Sequence, residues 1–411
     1  MKPATAAIHG HAVMADATGA TVVPVYQTVS YAYGTAEELA DVFAGSAPGY
    51  VYTRMANPTT AALEARLTEL ENGIGGIATA SGMAAIATVA LGLLKAGDEI
   101  IAGAGLFGGT ISLFKNVLGR FGIKTKLTCA AEADDVARAV TDRTRLILVE
   151  TISNPGMEVP DLRALAGIAE RANVPLVVDN TVTTPVLVRP GDFGAAIVVH
   201  STSKFVNGHG TAMGGAIIDT GRFDWAGGPF EDIAARSEKG GRLALLSHLR
   251  NGTGRDLGGC AAPMNSHLML QGLETLSLRM VRHCENARAL ALLLRDHPAV
   301  RRVDYPGLDD SPYRSRTVEQ FGGRGGALLT LGLGSQERAF RFINALRLAR
   351  NVANIGDAKT LVIHLASTIF REFDVETRMR MGVNADTVRV SVGIEDIDDI
   401  KGDFECALTK L

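Results

Sequence analysis

The chain is short of the residues that announce many special chemistries. Its 411 residues include a single tryptophan, and aromatics make up 5% of the whole. Its four cysteines, Cys129, Cys260, Cys284 and Cys406, lie far apart with no C-x-x-C pair. That spacing gives no metal-ligand set and fits reduced thiols in a cytoplasmic protein. Net charge is −3, with no basic block and no acidic tail, so neither nucleic acid nor a membrane surface is indicated as a partner. The opening stretch MKPATAAIHGHAVMADATG lacks the apolar core of a secretory leader. One uncharged run, Ile77 to Leu94, is long enough to raise the question of a membrane span. Ser81-Gly82 interrupts it and much of it is Ala, Thr and Gly, so a buried strand followed by a buried helix is expected. Repeats and low-complexity tracts are also missing.

What the chain does have is a middle section that alternates short apolar runs with helical stretches. Strands are expected at 76–79, 98–103, 123–128, 145–150, 174–180, 195–200 and 214–219. Most are continuous apolar runs, as strands covered on both faces of a mostly parallel sheet are. Helical stretches such as 161–173 lie between them, giving an α/β open sheet. Residues 1–56 are poor in periodicity and rich in Tyr, Gly and Pro, and read as an extended arm. Residues 57–270 form the large α/β domain. From 271 the pattern changes: one long helix (about 273–297), strands at 326–333 and 387–393, and a closing helix with Ile397, Ile400, Phe404, Ala407 and Leu411 on one stripe. Residues 271–411 are therefore expected to form a smaller α+β domain.

One stretch, HSTSKFVNGHG (200–210), sets a single lysine among hydroxyls and glycines straight after the apolar run AAIVV. A lysine at the end of a buried strand loses hydration, which lowers its pKa and makes it nucleophilic. That suits Schiff-base chemistry with an aldehyde; a lysine snorkelling from a strand end is the alternative. Other strands deliver polar groups at the same kind of end, where open α/β sheets bind ligands. VVDNT places Asp179 after an apolar run, where a carboxylate could hold a protonated ring nitrogen. LVETISNP places Glu150 and Asn154 past another strand. ATASGM sets Ser81, Gly82 and Met83 at a helix N-terminus, an anion site, and Ser201 and Ser203 add hydroxyls. An amine, a carboxylate and an anion cradle together fit pyridoxal 5′-phosphate.

With these residues in place, the chain resembles the Cys/Met-metabolism pyridoxal-phosphate enzymes of fold type I, from about Ile8 to Leu408. PVYQTVSY, YVYTRMANPTT, ATASGMAAI, VDNT, HSTSKFVNGHG and VRVSVGIED carry the resemblance. Within the family, GRFDW, QGLETLSLRMVRHCENA and NVANIGDAKTLVIH look most like O-acetylhomoserine sulfhydrylases. The resemblance implies an aspartate-aminotransferase-like large domain with a smaller C-terminal domain. It implies that Lys204 bonds to the cofactor aldehyde and later shuttles the substrate Cα proton, while Asp179 pairs with the pyridinium nitrogen. Ser81, Gly82, Met83, Ser201 and Ser203 would hold the phosphate. Tyr52 and Arg54 would reach the phosphate of a neighbouring subunit, so a dimer at least, and a tetramer of paired dimers, is implied. Arg389 would clamp the substrate α-carboxylate with help from Asn354, and Asn154 would lie near the ring 3′-oxygen.

Three departures from the family pattern stand out. LFGGT carries Phe107 where the family usually has tyrosine, so a ring remains to stack but no hydroxyl remains for proton transfer. LASTIF carries Leu365, Ile369 and Phe370 in place of Pro, Thr and His, which predicts a more apolar substrate end of the pocket. The segment after GRFDW looks shorter than usual. GAGLFG (103–108) also fits G-x-G-x-x-G, but a strand and helix precede it and no acidic residue ends the next strand, so a dinucleotide site is not expected. The implied reaction is γ-replacement on O-acetyl-L-homoserine by sulfide or a thiol, giving homocysteine or methionine and acetate. A γ-lyase, a cystathionine γ-synthase-like enzyme, and a cofactor-binding protein with little catalysis are the alternatives.

Overall fold

A computed structural model describes residues 1–10 and 19–411. Seven strands form the larger sheet: β1 (Gly75–Thr79), β2 (Glu99–Gly103), β3 (Lys124–Thr128), β4 (Thr144–Glu150), β5 (Leu176–Asp179), β6 (Ile197–His200) and β7 (Gly215–Asp219). Their spatial order is β1-β7-β6-β5-β4-β2-β3. β7 runs antiparallel to both β1 and β6, and the remaining pairs are parallel. The strands are apolar throughout because both faces are covered. Leu146, Leu148, Val177, Ile197 and Val199 pack into one core, and Ile147, Val149, Val178 and Val198 into another on the opposite face. Asp179, at the end of β5, places its polar side chain at a cavity, whereas His200, at the end of β6, is buried against Glu71, its Nε2 2.6 Å from Glu71 Oε1.

The second sheet comprises β8 (Arg302–Asp304), β9 (Leu328–Gly332), β10 (Arg350–Asn351), β11 (Leu361–His364) and β12 (Thr387–Ser391), in the order β10-β11-β12-β9-β8. All its pairings except β10–β11 are antiparallel. A third core, including Leu290, Leu294, Phe342, Val388, Val390 and Phe404, joins this sheet to the helices Leu276–Arg295, Gln336–Ala345 and Ile397–Leu408.

Every strand expected in the larger sheet is present within a residue or two. The interrupted apolar run is β1 followed by the helix Gly82–Leu93, as expected, and among the described residues no helix is long and apolar enough to cross a membrane. Three features differ from the sequence reading. The arm is not extended throughout: it holds short helices at Pro3–His9 and Ala36–Ala44, while 11–18 lie outside the described residues. The long helix expected at about 273–297 is present as Leu276–Arg295, but a separate helix, Pro263–Glu274, precedes it unanticipated, with a break at Thr275 between the two. Arg279 accounts for the break, since its guanidinium captures Gly272 O at 2.6 Å and its Nε donates to Thr275 Oγ1 at 3.0 Å. The short strands β8, β10 and β11 went unanticipated.

Candidate active site

β4, β5 and β6 end side by side, with Glu150 in register with Asp179 and Asp179 with Val199. The chain turns sharply after β6, with Lys204 N bonded to Ser201 O at 3.1 Å and Gly208 N to Lys204 O at 2.8 Å. The buried Arg279 pins this turn by donating to Phe205 O at 2.7 Å and Val206 O at 3.3 Å. Lys204 therefore projects from a fixed backbone into a cavity of about 170 Å³, far more than an isolated water needs.

That cavity is lined by Gly82, Met83, Phe107, Asn154, Asp179, Ser201, Lys204, Asn354 and Arg389, all of them expected site residues. Lys204 Nζ donates to Asn354 Oδ1 at 2.6 Å. Arg389, on β12, crosses from the second sheet and donates to Asn154 Oδ1 at 3.0 Å and Asn354 O at 3.3 Å. The loop carrying Asn354 comes this close because Gly356 adopts φ +73°, and a Cβ there would sit 2.6 Å from Phe205 N.

The electrostatics suit an amine that must react. Burial, then Arg389, lowers the Lys204 pKa, so the uncharged form is more available. Burial also lowers Arg389, to about 10, leaving the guanidinium charged at neutral pH. Asp179 is raised by burial, opposed by Thr181, whose amide donates to Asp179 Oδ1 at 2.9 Å.

The anion cradle is built where the helix Gly82–Leu93 begins. Ser81 caps it, its Oγ accepting from Ala84 N at 3.1 Å. The amides of Gly82 and Met83 belong to the first turn, whose N–H groups find no partner within the helix. Gly82 must lack a side chain: a Cβ would lie 2.7 Å from Ser201 Cβ and 2.9 Å from Ser201 Cα. Ser81 and Ser203 sit slightly apart, lining an adjoining opening shared with Gly82, Ser201 and Lys204. Ser203 Oγ is engaged with Gly214, accepting from its amide at 2.9 Å.

Two expected residues are not brought to the site by this chain alone. Tyr52 is 40% exposed, and the Arg54 guanidinium lies 5.5 Å from the Tyr52 ring centroid while donating to Arg255 O at 2.7 Å. Of the three LASTIF substitutions, Ile369 alone lines the cavity. Leu365 and Phe370 are fully buried in the core behind it, so the apolar substrate end rests on Ile369 there. The sequence reading also left Glu150, Arg279 and Thr181 without roles; their partners lie 20 to 74 residues away or on a neighbouring turn, and no local motif marks them.

An amine, a carboxylate aimed at the same cavity, a helix N-terminus cleared of side-chain bulk and a half-exposed Phe107 ring fit the aldehyde, ring nitrogen, phosphate and flat face of pyridoxal phosphate. Comparison with known proteins agrees. The model of the family described as "Cys/Met metabolism PLP-dependent enzyme" matches residues 4–409. A homocysteine synthase of Schizosaccharomyces pombe is 43% identical, covering 95% of this chain and 94% of its own. An O-acetyl-L-homoserine sulfhydrylase of Leptospira meyeri is 39% identical, covering 100% and 97%. A Campylobacter jejuni crystal structure described as an O-acetylhomoserine (thiol)-lyase, holding a pyridoxyl-lysine monophosphate, superposes with TM-score 0.93 at 31% identity over 100% of both chains.

Proposed function

Because the chain belongs to the Cys/Met metabolism PLP-dependent enzymes, we propose that it replaces the γ-acetoxy group of O-acetyl-L-homoserine with sulfide or a thiol, giving homocysteine or methionine and acetate. The observation that carries this reading is the convergence of Lys204, Asp179 and Arg389 on one cavity. The relatives that match over their full length support the choice of reaction.

When bound, pyridoxal phosphate supplies an aldehyde for an amine and an electron sink for the charge left at the substrate Cα. The chain supplies the rest. Arg389, still cationic, binds the α-carboxylate through a bidentate fork, and its present partners Asn154 and Asn354 hold that fork in place. Lys204 Nζ, biased toward the neutral amine, takes the proton from the substrate Cα, gives it up to become neutral again, takes one from Cβ, and returns a proton to each carbon once the sulfur has added, each transfer worth roughly 10²–10⁴-fold. Asp179 would accept the ring N–H and so keep the ring electron-poor. Gly82, Met83, Ser81 and Ser201 would hold the phosphate, with Ser203 beside them, its Oγ donating to Gly214 O at 3.1 Å. Phe107 covers a ring face and carries no proton, which this reaction tolerates: acetate is a weak base and departs without a strong acid. Ile369 excludes water beside the γ-carbon.

As part of the same proposal, the arm 1–56 delivers Tyr52 and Arg54 to a neighbouring copy's site, making the working unit a dimer or a pair of dimers. Tyr52 is half-exposed and is not among the residues lining the Lys204 cavity, which supports this. A cytoplasmic location and a division near 56 and 270 complete the reading; the two separate sheets support two domains, and the second boundary falls within the helix Pro263–Glu274.

The test is to incubate the holoenzyme with O-acetyl-L-homoserine and sulfide, and to measure homocysteine and acetate in equal amounts. Lys204→Ala is expected to lose turnover by at least the roughly 10²–10⁴-fold of one proton transfer. Formation of 2-oxobutanoate and ammonia in place of homocysteine would replace this reading with γ-elimination.

A further inference from the structure

Glu150 closes β4 on the face of the sheet that carries Asp179, and it is 8% exposed. Its two carboxylate oxygens reach two different loops. Oε1 accepts the backbone amide of Phe107 at 2.8 Å, and Oε2 accepts that of Asn154 at 3.0 Å. Phe107 is the ring that faces the cavity, and Asn154 Oδ1 is the atom that holds Arg389. One side chain thus ties together the stacking group, the group at the ring's edge and, through Asn154, the carboxylate-binding arginine.

We propose that Glu150 is a positioning residue: its carboxylate staples the Phe107 loop to the Asn154 loop and so fixes the orientation of the bound cofactor ring. This rests on the cofactor assigned above. Its chemistry suits the task. A carboxylate offers two oxygens set apart at a fixed angle, each able to accept a charge-assisted bond. Alanine offers none, and glutamine offers one oxygen while turning an N–H₂ group toward the other amide. The arrangement is electrostatically costly, since burial and the neighbouring Asp179 push the Glu150 pKa well up, against the two amides that pull it down. A group there only to fill space would avoid that cost.

The experiment compares Glu150→Ala, Glu150→Gln and Val149→Ala. Val149 is equally buried but points into the core on the other face, so its truncation controls for simple loss of stability. The readouts are the dissociation constant of pyridoxal phosphate from the protein and the visible circular dichroism per mole bound, which reports ring orientation. Glu150→Ala is expected to bind the cofactor about tenfold more weakly or worse, as befits two orphaned amides, and to lose most of the visible dichroism. Glu150→Gln shows a smaller loss of the same sign, and Val149→Ala keeps the parent dichroism even where its melting point falls. If Glu150→Ala does not fold, the glutamine variant decides. Parent-like affinity and dichroism in Glu150→Gln, or an equal change in Val149→Ala, would overturn the proposal. None of these readouts uses an amino-acid substrate, so the reaction assigned above can fail while this inference stands. A parent protein that binds no cofactor sinks both.

Discussion

Lys204 reacts from a position that its neighbours have made rigid, and the rigidity depends on missing atoms as much as on present ones. The helix at Gly82 approaches β6 so closely that Ser201 fills the space a side chain would need. Gly82→Ala is therefore expected to destabilise the protein by about 1–3 kcal/mol through overpacking, and to weaken cofactor retention because Ser201 and the anion-binding amides are forced apart. Urea denaturation of the apoprotein and cofactor titration check the two parts separately. Gly82, like Lys204 and Asp179, was legible in the sequence because its chemistry is local: a strand, a polar residue at its end, a glycine before a helix. Glu150 was visible at a strand end but its task was not, since Phe107 lies 43 residues away. Arg279 gave no signal at all. A lone arginine in a helical stretch reads as a solvated side chain, whereas here it is buried, its pKa lowered to about 10 by that burial, and spent on the carbonyls following Lys204. Leu365 and Phe370 show the converse error, in which a substitution next to a motif was read as pocket chemistry and is core packing.

Among the elements, the strands of the larger sheet were readable because burial on both faces demands unbroken apolar runs. β8 and β10 span 3 and 2 residues, too few for any pattern, and pairing rather than sequence defines them; β11, with 4 residues, is as long as β5 and β6 but was absorbed into a motif read for its resemblance. The arm is tied to the helix Pro58–Leu70 at its N-terminus, where Thr59 Oγ1 accepts from Tyr26 N at 2.9 Å and donates to Pro24 O at 2.7 Å, and where Asn57 bonds to both arm and helix. Asn57 caps Pro58–Leu70 by accepting from Thr59 N at 3.0 Å, and its Nδ2 donates to Tyr26 O at 2.8 Å and Tyr31 Oη at 3.0 Å. Asn57→Ala should cost about 2 kcal/mol, a cap together with buried bonds, and limited proteolysis should cut the arm faster than in the parent. His283 makes a similar joint in the second unit, with Nδ1 donating to Val392 O at 2.7 Å and its ring 5.4 Å from Phe205, the residue after Lys204. Burial lowers its pKa to about 4, against about 6.5 for the unfolded chain. Between those values the unfolded chain binds a proton that the native one refuses, so stability falls as pH drops from about 6.5 to about 4 and is unaffected above. The full effect is about 3 kcal/mol. Denaturation midpoints at several pH values should show this slope in the parent and a shallower one in His283→Leu.

At the scale of the whole molecule, the site is made by two sheets and, if the proposal holds, by two copies. Arg389 comes from the small sheet and Lys204 from the large one, and Asn354 touches both. Arg54 does not line the cavity of its own Lys204, and its guanidinium rests on the Arg255 carbonyl. The consequence can be tested by mixing two inactive proteins. Lys204→Ala lacks the reactive amine, and Arg54→Ala lacks the anion-binding arm. In a mixed dimer, the site that keeps Lys204 receives Arg54 from the other copy and is intact, whereas the second site lacks both. If subunits are unfolded together and refolded at equal amounts, half the dimers are mixed and each has one working site. Activity should then recover to about a quarter of the parent's, an arithmetic that follows from a two-fold exchange of the arm. If each chain completes its own site, no mixture can exceed the average of the two parents, and the recovered rate stays at their level. The outcome separates an arm that serves a neighbour from one that merely packs on its own sheet.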